Sequence, residues 1–187
     1  DETLGALNSA VQQGKALYTG VSSYSAESTA EAVGVSKENH FAPLVIHQPN
    51  YSMLNRWVES GLLDSCSEMG LGVIAFCPLF QGLLTDKYLN GIPDGSRASI
   101  ENSPLRKNEV NEQNVKVIHE LNNHAGERGQ SLAQMALSWV LRDKRVTSAL
   151  IGASSSDQIL ENVKAATQTD FTDNELKILD RILAKVN

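Results

Sequence analysis

Cysteine is scarce: Cys66 and Cys77 are the only two, too few for a disulfide framework and not spaced as C-x-x-C. A reducing compartment is therefore the default, with both thiols expected buried as small apolar groups and the cytoplasm as the simplest address. No apolar run is long enough to span a bilayer and the chain opens on no signal-like segment, so no membrane insertion is expected. An excess of positive charge is missing too. A net charge of −6 and a pI near 5.2 argue against nucleic acid or an anionic membrane surface as a partner. His40, His47, His119 and His124 lack paired metal-ligand spacing, so no metal site is expected. No G-x-S-x-G elbow is present, which disfavours Ser22 or Ser154 as a nucleophile. The absence of G-x-G-x-x-G disfavours a standard dinucleotide fold. Aromatics make up only 5% of the chain, and Phe76 and Trp139 read by themselves as core.

What is present is ordinary globular composition: 187 residues, 41% hydrophobic and 20% charged, enough for one domain with a real core. The chain starts at Asp1, already inside a helical pattern. Leu4, Leu7 and Val11 with the Gly14 stop predict a helix over Glu2 to Gln13, and Lys15 to Ser22 reads as a buried strand. Ser25 caps a second helix to about Lys37, weakened by Gly34. Leu44 to Gln48 is continuous and β-branched, as a parallel strand covered on both faces should be. A helix over Trp57 to Met69 follows, stopped by Gly70, and then a third strand, Gly72 to Cys77, closed by Pro78.

Leu79 to Tyr88 suits a short helix, whereas Gly91 to Asn111 is a long polar loop carrying Pro93, Gly95 and Pro104. Loops of this length in compact domains usually bind or cover something. Asn114 to His124 is helical, ended by Gly126 and Gly129. Ser131 with Gln134 has capping-box spacing before the apolar helix Leu132 to Leu141, and Thr172 with Glu175 has the same spacing before a terminal helix.

Between these last two lies the most informative stretch, Ser148 to Lys164. Val146 to Ile151 reads as a fourth strand, Gly152 and Ala153 as a turn that lets backbone approach a ligand, and Ser155 with Gln158 as a third capping box. Amides at such a helix start attract anions. Ile159, Leu160 and Val163 are expected as the buried stripe, which puts Gln158, Glu161 and Asn162 together on the other side. A phosphate site beside an amide and a carboxylate suits a nucleotide; a plain capped surface helix fits the same residues.

Four strands, each followed by a helix, imply parallel pairing with right-handed crossovers. Polar residues end every strand: Ser22 and Ser23, Gln48, Cys77, Ser154. In a (β/α) barrel that rim holds the active site.

Gly20-Val-Ser-Ser-Tyr, His47-Gln-Pro-Asn-Tyr, Phe76-Cys-Pro-Leu-Phe-Gln-Gly-Leu-Leu-Thr-Asp-Lys-Tyr88 and Ile151-Gly-Ala-Ser-Ser-Ser-Asp-Gln-Ile-Leu-Glu-Asn162 together carry a resemblance. The chain resembles the aldo-keto reductases, in the branch related to potassium-channel β subunits and bacterial glyceraldehyde-3-phosphate or methylglyoxal reductases. The match spans nearly the whole chain but only the second half of that family's barrel. Residues 1–187 would then form one partial domain, half of a (β/α)8 TIM barrel with the family's strands five to eight.

The resemblance implies NADP(H), ahead of NAD(H), and reduction of a small carbonyl substrate by hydride transfer. Ser22, Ser23 and Gln48 would hold the nicotinamide carboxamide, and Phe76 would lie against its ring. Cys77, Pro78, Leu79, Gln81 and Gly82 would pass along the pyrophosphate, with Lys87 and Arg97 neutralising phosphate. Gly152, Ser154, Gln158, Glu161 and Asn162 would take the adenosine and 2′-phosphate end. Ser23 stands where many members carry Asn, and Ser155 where close relatives often carry Arg, which weakens the 2′-phosphate case. The family's Tyr, Lys, Asp and His would precede Asp1, so no catalytic residue is assigned. A half-barrel leaves open edges, so a missing amino-terminal half-barrel or a homo-oligomer partner is expected. Set against the enzyme is a non-catalytic nucleotide-sensing or interaction subunit.

Overall fold

A computed structural model describes residues 1–186. After helix α1 (Glu2–Gln12), strand β1 (Thr19–Ser22) is followed by α2 (Ala26–Glu38), and β2 (Leu44–Gln48) by α3 (Leu62–Glu68). Strand β3 (Gly72–Phe76) leads through a long irregular connection to α4 (Glu112–Glu127) and α5 (Leu132–Leu141). Strand β4 (Ser148–Leu150) precedes α6 (Ser156–Val163) and α7 (Asp173–Leu183). The strands form one sheet in sequence order, every neighbouring pair parallel. Since Ser22 pairs with Gln48 and Phe76 with Leu150, all four carboxyl ends lie along one rim. The fold is half of a (β/α)8 barrel.

Helices cover only one face of this sheet. Val21, His47, Val73 and Ala75 point into the core, with Leu63, Cys66, Ile118, Leu121, Met135 and Trp139 packed behind the sheet. Ile46, Ile74 and Phe76, on the alternate positions, are only half-covered, and Leu150 is 52% exposed. The expectation of strands buried on both faces therefore fails on the inner face, because no element among the described residues lies opposite it. The flanks are apolar as well. Leu17 and Tyr18, expected inside a strand from Lys15, lie outside β1 and are 83% and 74% exposed. The stripe of Ile159, Leu160 and Val163, expected buried, is 49–64% exposed. Periodicity identified an apolar helix face, but among the described residues no element covers it.

Other departures have local causes. The helix over Trp57 to Met69 is split into a 3-10 turn, Trp57–Glu59, and α3, because Gly61 between them takes φ 108°. The helix over Leu79 to Tyr88 is two 3-10 turns, Phe80–Gly82 and Asp86–Tyr88, with Phe80 and Gln81 at φ 45° and 57° breaking the spiral. Strand β3 stops at Phe76 because Cys77 is left-handed at φ 54°, and the Cys77 thiol is half-buried rather than buried. Strand β4 is shorter than Val146 to Ile151, although the Thr147 amide still donates to the Val73 carbonyl at 2.8 Å. Helix α4 runs through Gly126 and ends before Gly129, whose φ of 69° supplies the left-handed stop. Residues 91–111 include two 3-10 turns, and Ala98 and Leu105 are buried.

Behind the sheet, Trp139 is held between two guanidiniums, Arg142 3.6 Å and Arg56 5.1 Å from the ring centroid. Glu59 joins them: it accepts from Tyr51 at 2.7 Å and Arg56 at 2.7 Å. Burial pulls the Glu59 carboxyl upward, but the bonds from Arg56 and Tyr51 outweigh it and hold the group below its usual range. This cluster ties the segment after β2 to α5.

Gly20 measures how tightly β1 lies on β2. A Cβ there would sit 2.5 Å from the Ile46 carbonyl oxygen, backbone that cannot move without breaking the ladder. Gly20→Ala is expected to destabilise by about 1–3 kcal/mol. Gly34→Ala, inside α2 with no atom within 4 Å, is expected to stabilise by about 0.5–1 kcal/mol. Urea midpoints of the two variants check the contrast, and a tolerated Gly20→Ala would refute the close strand approach.

Candidate functional site

The rim is built from the four strand ends in order. At β1, the Ser22 hydroxyl donates to the Gln48 carbonyl at 2.7 Å and lies 3.5 Å from the Ser23 hydroxyl, Ser23 being left-handed at φ 57°. Both serines are exposed and Gln48 is half-buried. Beneath them His47 is fully buried, its Nε2 3.2 Å from the Tyr24 carbonyl. A carbonyl can only accept, so Nε2 carries the proton in this contact and Nδ1, buried without a partner, keeps its lone pair. Burial pushes the His47 imidazole below its ordinary value, the Tyr24 contact acting the other way.

Past β2 and β3 the ladder continues: the Phe76 amide donates to Pro49 at 2.9 Å, and the Tyr51 amide to Phe76 at 3.2 Å. Phe76 is thereby fixed at the rim, half-covered. The next turn concentrates backbone strain, with Cys77, Phe80 and Gln81 all left-handed and Gly82 at φ 96°. Each non-glycine residue in that region costs roughly 1–3 kcal/mol, and such strain clusters at ligand-binding backbone. Pro78 is buried and Leu79 half-buried. Arg97, on a distant turn, donates to Gln81 Oε1 at 2.7 Å, and Gln81 Nε2 donates to Cys77 Sγ at 3.0 Å. Burial raises the Cys77 thiol, against the pull of Arg97.

At the β4 end, a Cβ on Gly152 would meet nothing within 4 Å. Ser155 Oγ accepts from the Gln158 amide at 3.3 Å, but the Gln158 side chain does not complete the expected capping box. Its Oε1 accepts instead from the Ser154 amide at 2.8 Å and hydroxyl at 3.1 Å, which takes up the oxygen that the box would have used. Glu161 is exposed, paired with Lys164, and Asn162 is half-buried in a groove against Leu137 and Leu141.

The expected site residues thus gather as Ser22, Ser23 and Gln48 at one end of the rim, Phe76 to Gly82 with Arg97 in the middle, and Gly152 to Asn162 at the other end. Among the described residues no side-chain hydrogen bond joins one group to the next; the sheet alone aligns them. Lys87 is exposed with no ion pair among the described residues, held only by its amide on Thr85 Oγ1 at 3.3 Å. Sequence reasoning missed His47 as a support for the Ser22 turn. It also missed Gln134, whose Nε2 donates to the Glu161 carboxylate at 3.1 Å. Spacing marked Gln134 as a capping residue, and its second contact leaves no local pattern.

The family description "Aldo/keto reductase family" matches residues 1–184. The chain belongs to that family. It is 52% identical over 188 residues to a protein named L-glyceraldehyde 3-phosphate reductase from Escherichia coli (strain K12), covering 98% of this chain and 54% of the relative. It is 35% identical to a probable voltage-gated potassium channel subunit beta from Oryza sativa subsp. japonica, covering 100% of this chain and 57% of the relative. A putative voltage-gated potassium channel subunit beta from Schizosaccharomyces pombe is 34% identical, with 98% and 55% covered. The chain spans about half the length of the relatives it matches. No helix among the described residues is long and apolar enough to cross a membrane.

His47 predicts a pH dependence of stability. Its folded pKa lies below the unfolded value, so the unfolded chain binds more protons and stability rises with pH. The contribution is intact above the ordinary histidine value of about 6.5 and is lost as pH falls below it toward the depressed folded value. Replacing it (His47→Gln) is expected to flatten the denaturation midpoint between about pH 7 and pH 5; an unchanged slope would assign the dependence to other groups.

Proposed function

We propose that this chain is the carboxyl-terminal half of an oxidoreductase that reduces small aldehydes or ketones with NADP(H), and that its rim supplies most of the cofactor site. The observation that carries the reading is the alignment of four strand ends on one rim, with strained backbone at Cys77, Phe80 and Gln81 in its centre. Family membership and the reductase relative support it. The bound cofactor would supply hydride to a carbonyl carbon; this chain's residues bind and orient it.

The donor set fits such a molecule. Exposed hydroxyls of Ser22 and Ser23 with the Gln48 amide match a carboxamide, which needs donors and acceptors together. Phe76 offers a flat face to the nicotinamide ring. The turn from Cys77 through Pro78, Leu79 and Gln81 to Gly82 would follow the pyrophosphate, and Arg97 and Lys87 would offset its charge. Open space at Gly152 lets backbone come close at the far end, where Ser154, Gln158, Glu161 and Asn162 would take adenosine and the 2′-phosphate. NADP(H) is placed ahead of NAD(H) on family grounds, Ser155 in place of Arg arguing the other way. The proton-transferring groups are assigned to the other half of the barrel.

The exposed inner face, Leu17 and Tyr18 at one edge and Leu150 with the α6 stripe at the other, would be covered by an amino-terminal half-barrel or, failing that, a second copy of this chain. The cytoplasm is the proposed location. The channel-subunit relatives favour a second reading, a nucleotide-sensing interaction subunit without turnover.

Titrating the reduced dinucleotide against the protein carrying both halves, by nicotinamide fluorescence, tests the site. Gln48→Ala and Lys87→Ala are each expected to weaken binding about tenfold, about 1.4 kcal/mol. Unchanged affinity in both would remove the assignment. Turnover of a small aldehyde separates the two readings, since binding without it would favour the sensing subunit.

A further inference from the structure

Helix α6 carries Gln158, Glu161 and Asn162 of the proposed adenosine end, yet hydrophobic packing does little to orient it. None of its residues is buried, and Ile159, Leu160 and Val163 face outward. Its side-chain hydrogen bonds to the neighbouring helix, among the described residues, come from one residue. Gln134, on α5, is 9% exposed. Its Oε1 accepts from the Ser131 amide at 3.0 Å, completing the cap of α5. Its Nε2 donates both to the Glu161 carbonyl at 3.0 Å and to the Glu161 carboxylate at 3.1 Å. The other carboxylate oxygen of Glu161 is held by Lys164.

A side-chain amide meets both demands at once, since the cap requires an acceptor and Glu161 a donor, and here the amide oxygen and nitrogen take one each. We propose that Gln134 is a positioning residue: by anchoring the backbone and carboxylate of Glu161 together, it presets the carboxylate that receives the adenosine end of the dinucleotide. The proposal rests on the cofactor reading above. A carboxylate has about four lone-pair sites, so oxygens engaged by Gln134 and Lys164 can still accept from an exocyclic amine or a ribose hydroxyl. Without the anchor an exposed glutamate would have to be ordered on binding. Immobilising one such side chain weakens affinity by roughly three- to tenfold.

The decisive substitution is Gln134→Glu. It keeps an oxygen to accept from Ser131, so the cap survives, but it sets an anion against the Glu161 carbonyl and carboxylate. In the protein carrying both halves, affinity for NADP(H) and for adenosine 2′,5′-bisphosphate is expected to fall about tenfold, while affinity for nicotinamide mononucleotide stays at the wild-type value. On a Glu161→Gln background, which lacks the carboxylate to be preset, Gln134→Glu is expected to cost much less of the adenosine-fragment affinity than it does in the wild type. Calorimetric titration of all three ligands, with urea midpoints to show that each variant folds, reads the result. Equal adenosine-fragment affinity in wild type and Gln134→Glu would overturn the proposal. So would parallel loss of both fragments, or the same loss on the Glu161→Gln background, which is what a purely structural role produces. Wild type failing to bind the dinucleotide at all would instead sink the cofactor reading.

Discussion

The backbone of Phe76 is the constraint on which the rim depends. It ends β3, pairs with Leu150 on one side, and on the other exchanges hydrogen bonds with Pro49 and Tyr51 beyond the end of β2. Because the bonds are main-chain, they hold the turn after β2 and the turn after β3 in one register whatever the neighbouring side chains. An aromatic face is then presented at a fixed height between Gln48 and the left-handed turn that follows. A parallel sheet converts this single fixed point into a row, since each strand delivers its carboxyl end to the same edge.

That same sheet is covered unequally on its two faces. Its helix-facing side is closed by a continuous core running from Val73 to Trp139 and Leu179, while the alternate residues have no element opposite them among the described residues. Two open strand edges, each flanked by exposed apolar residues, bound this uncovered face. The coverage of about half of each relative's length agrees with that geometry.

Much of this was legible in the sequence for specific reasons. The run Leu44 to Gln48 admits little besides a strand, because it is apolar, β-branched and ended by Pro49, and the strand lies where the pattern puts it. Ser131 with Gln134 and Thr172 with Glu175 form both halves of their capping boxes, since those contacts involve only four consecutive residues. The Ser155 box failed for a contact one residue away, which spacing cannot rank. The α6 stripe shows the deeper limit. Helical periodicity reports which face is apolar, but burial depends on elements that a local window does not contain. The order of the site groups along the rim followed from strand order alone; their separate hydrogen-bonded partners did not.

The rim's polar groups differ in how they are held, and the difference follows from what lies behind each. Ser22 and the turn beyond it are fixed from below by buried His47, and Phe76 by the ladder, so the nicotinamide end of the proposed site is rigid before any ligand arrives. The pyrophosphate turn is strained backbone linked through Gln81 to Arg97 on a distant segment. The adenosine end stands on α6, with no buried residue and one amide anchor. Support from buried and main-chain groups therefore falls along the rim from β1 to β4. A dinucleotide read this way would find its chemical end preorganised and its recognition end adjustable, so differences in affinity between nucleotides should arise chiefly at α6, where binding has ordering left to do.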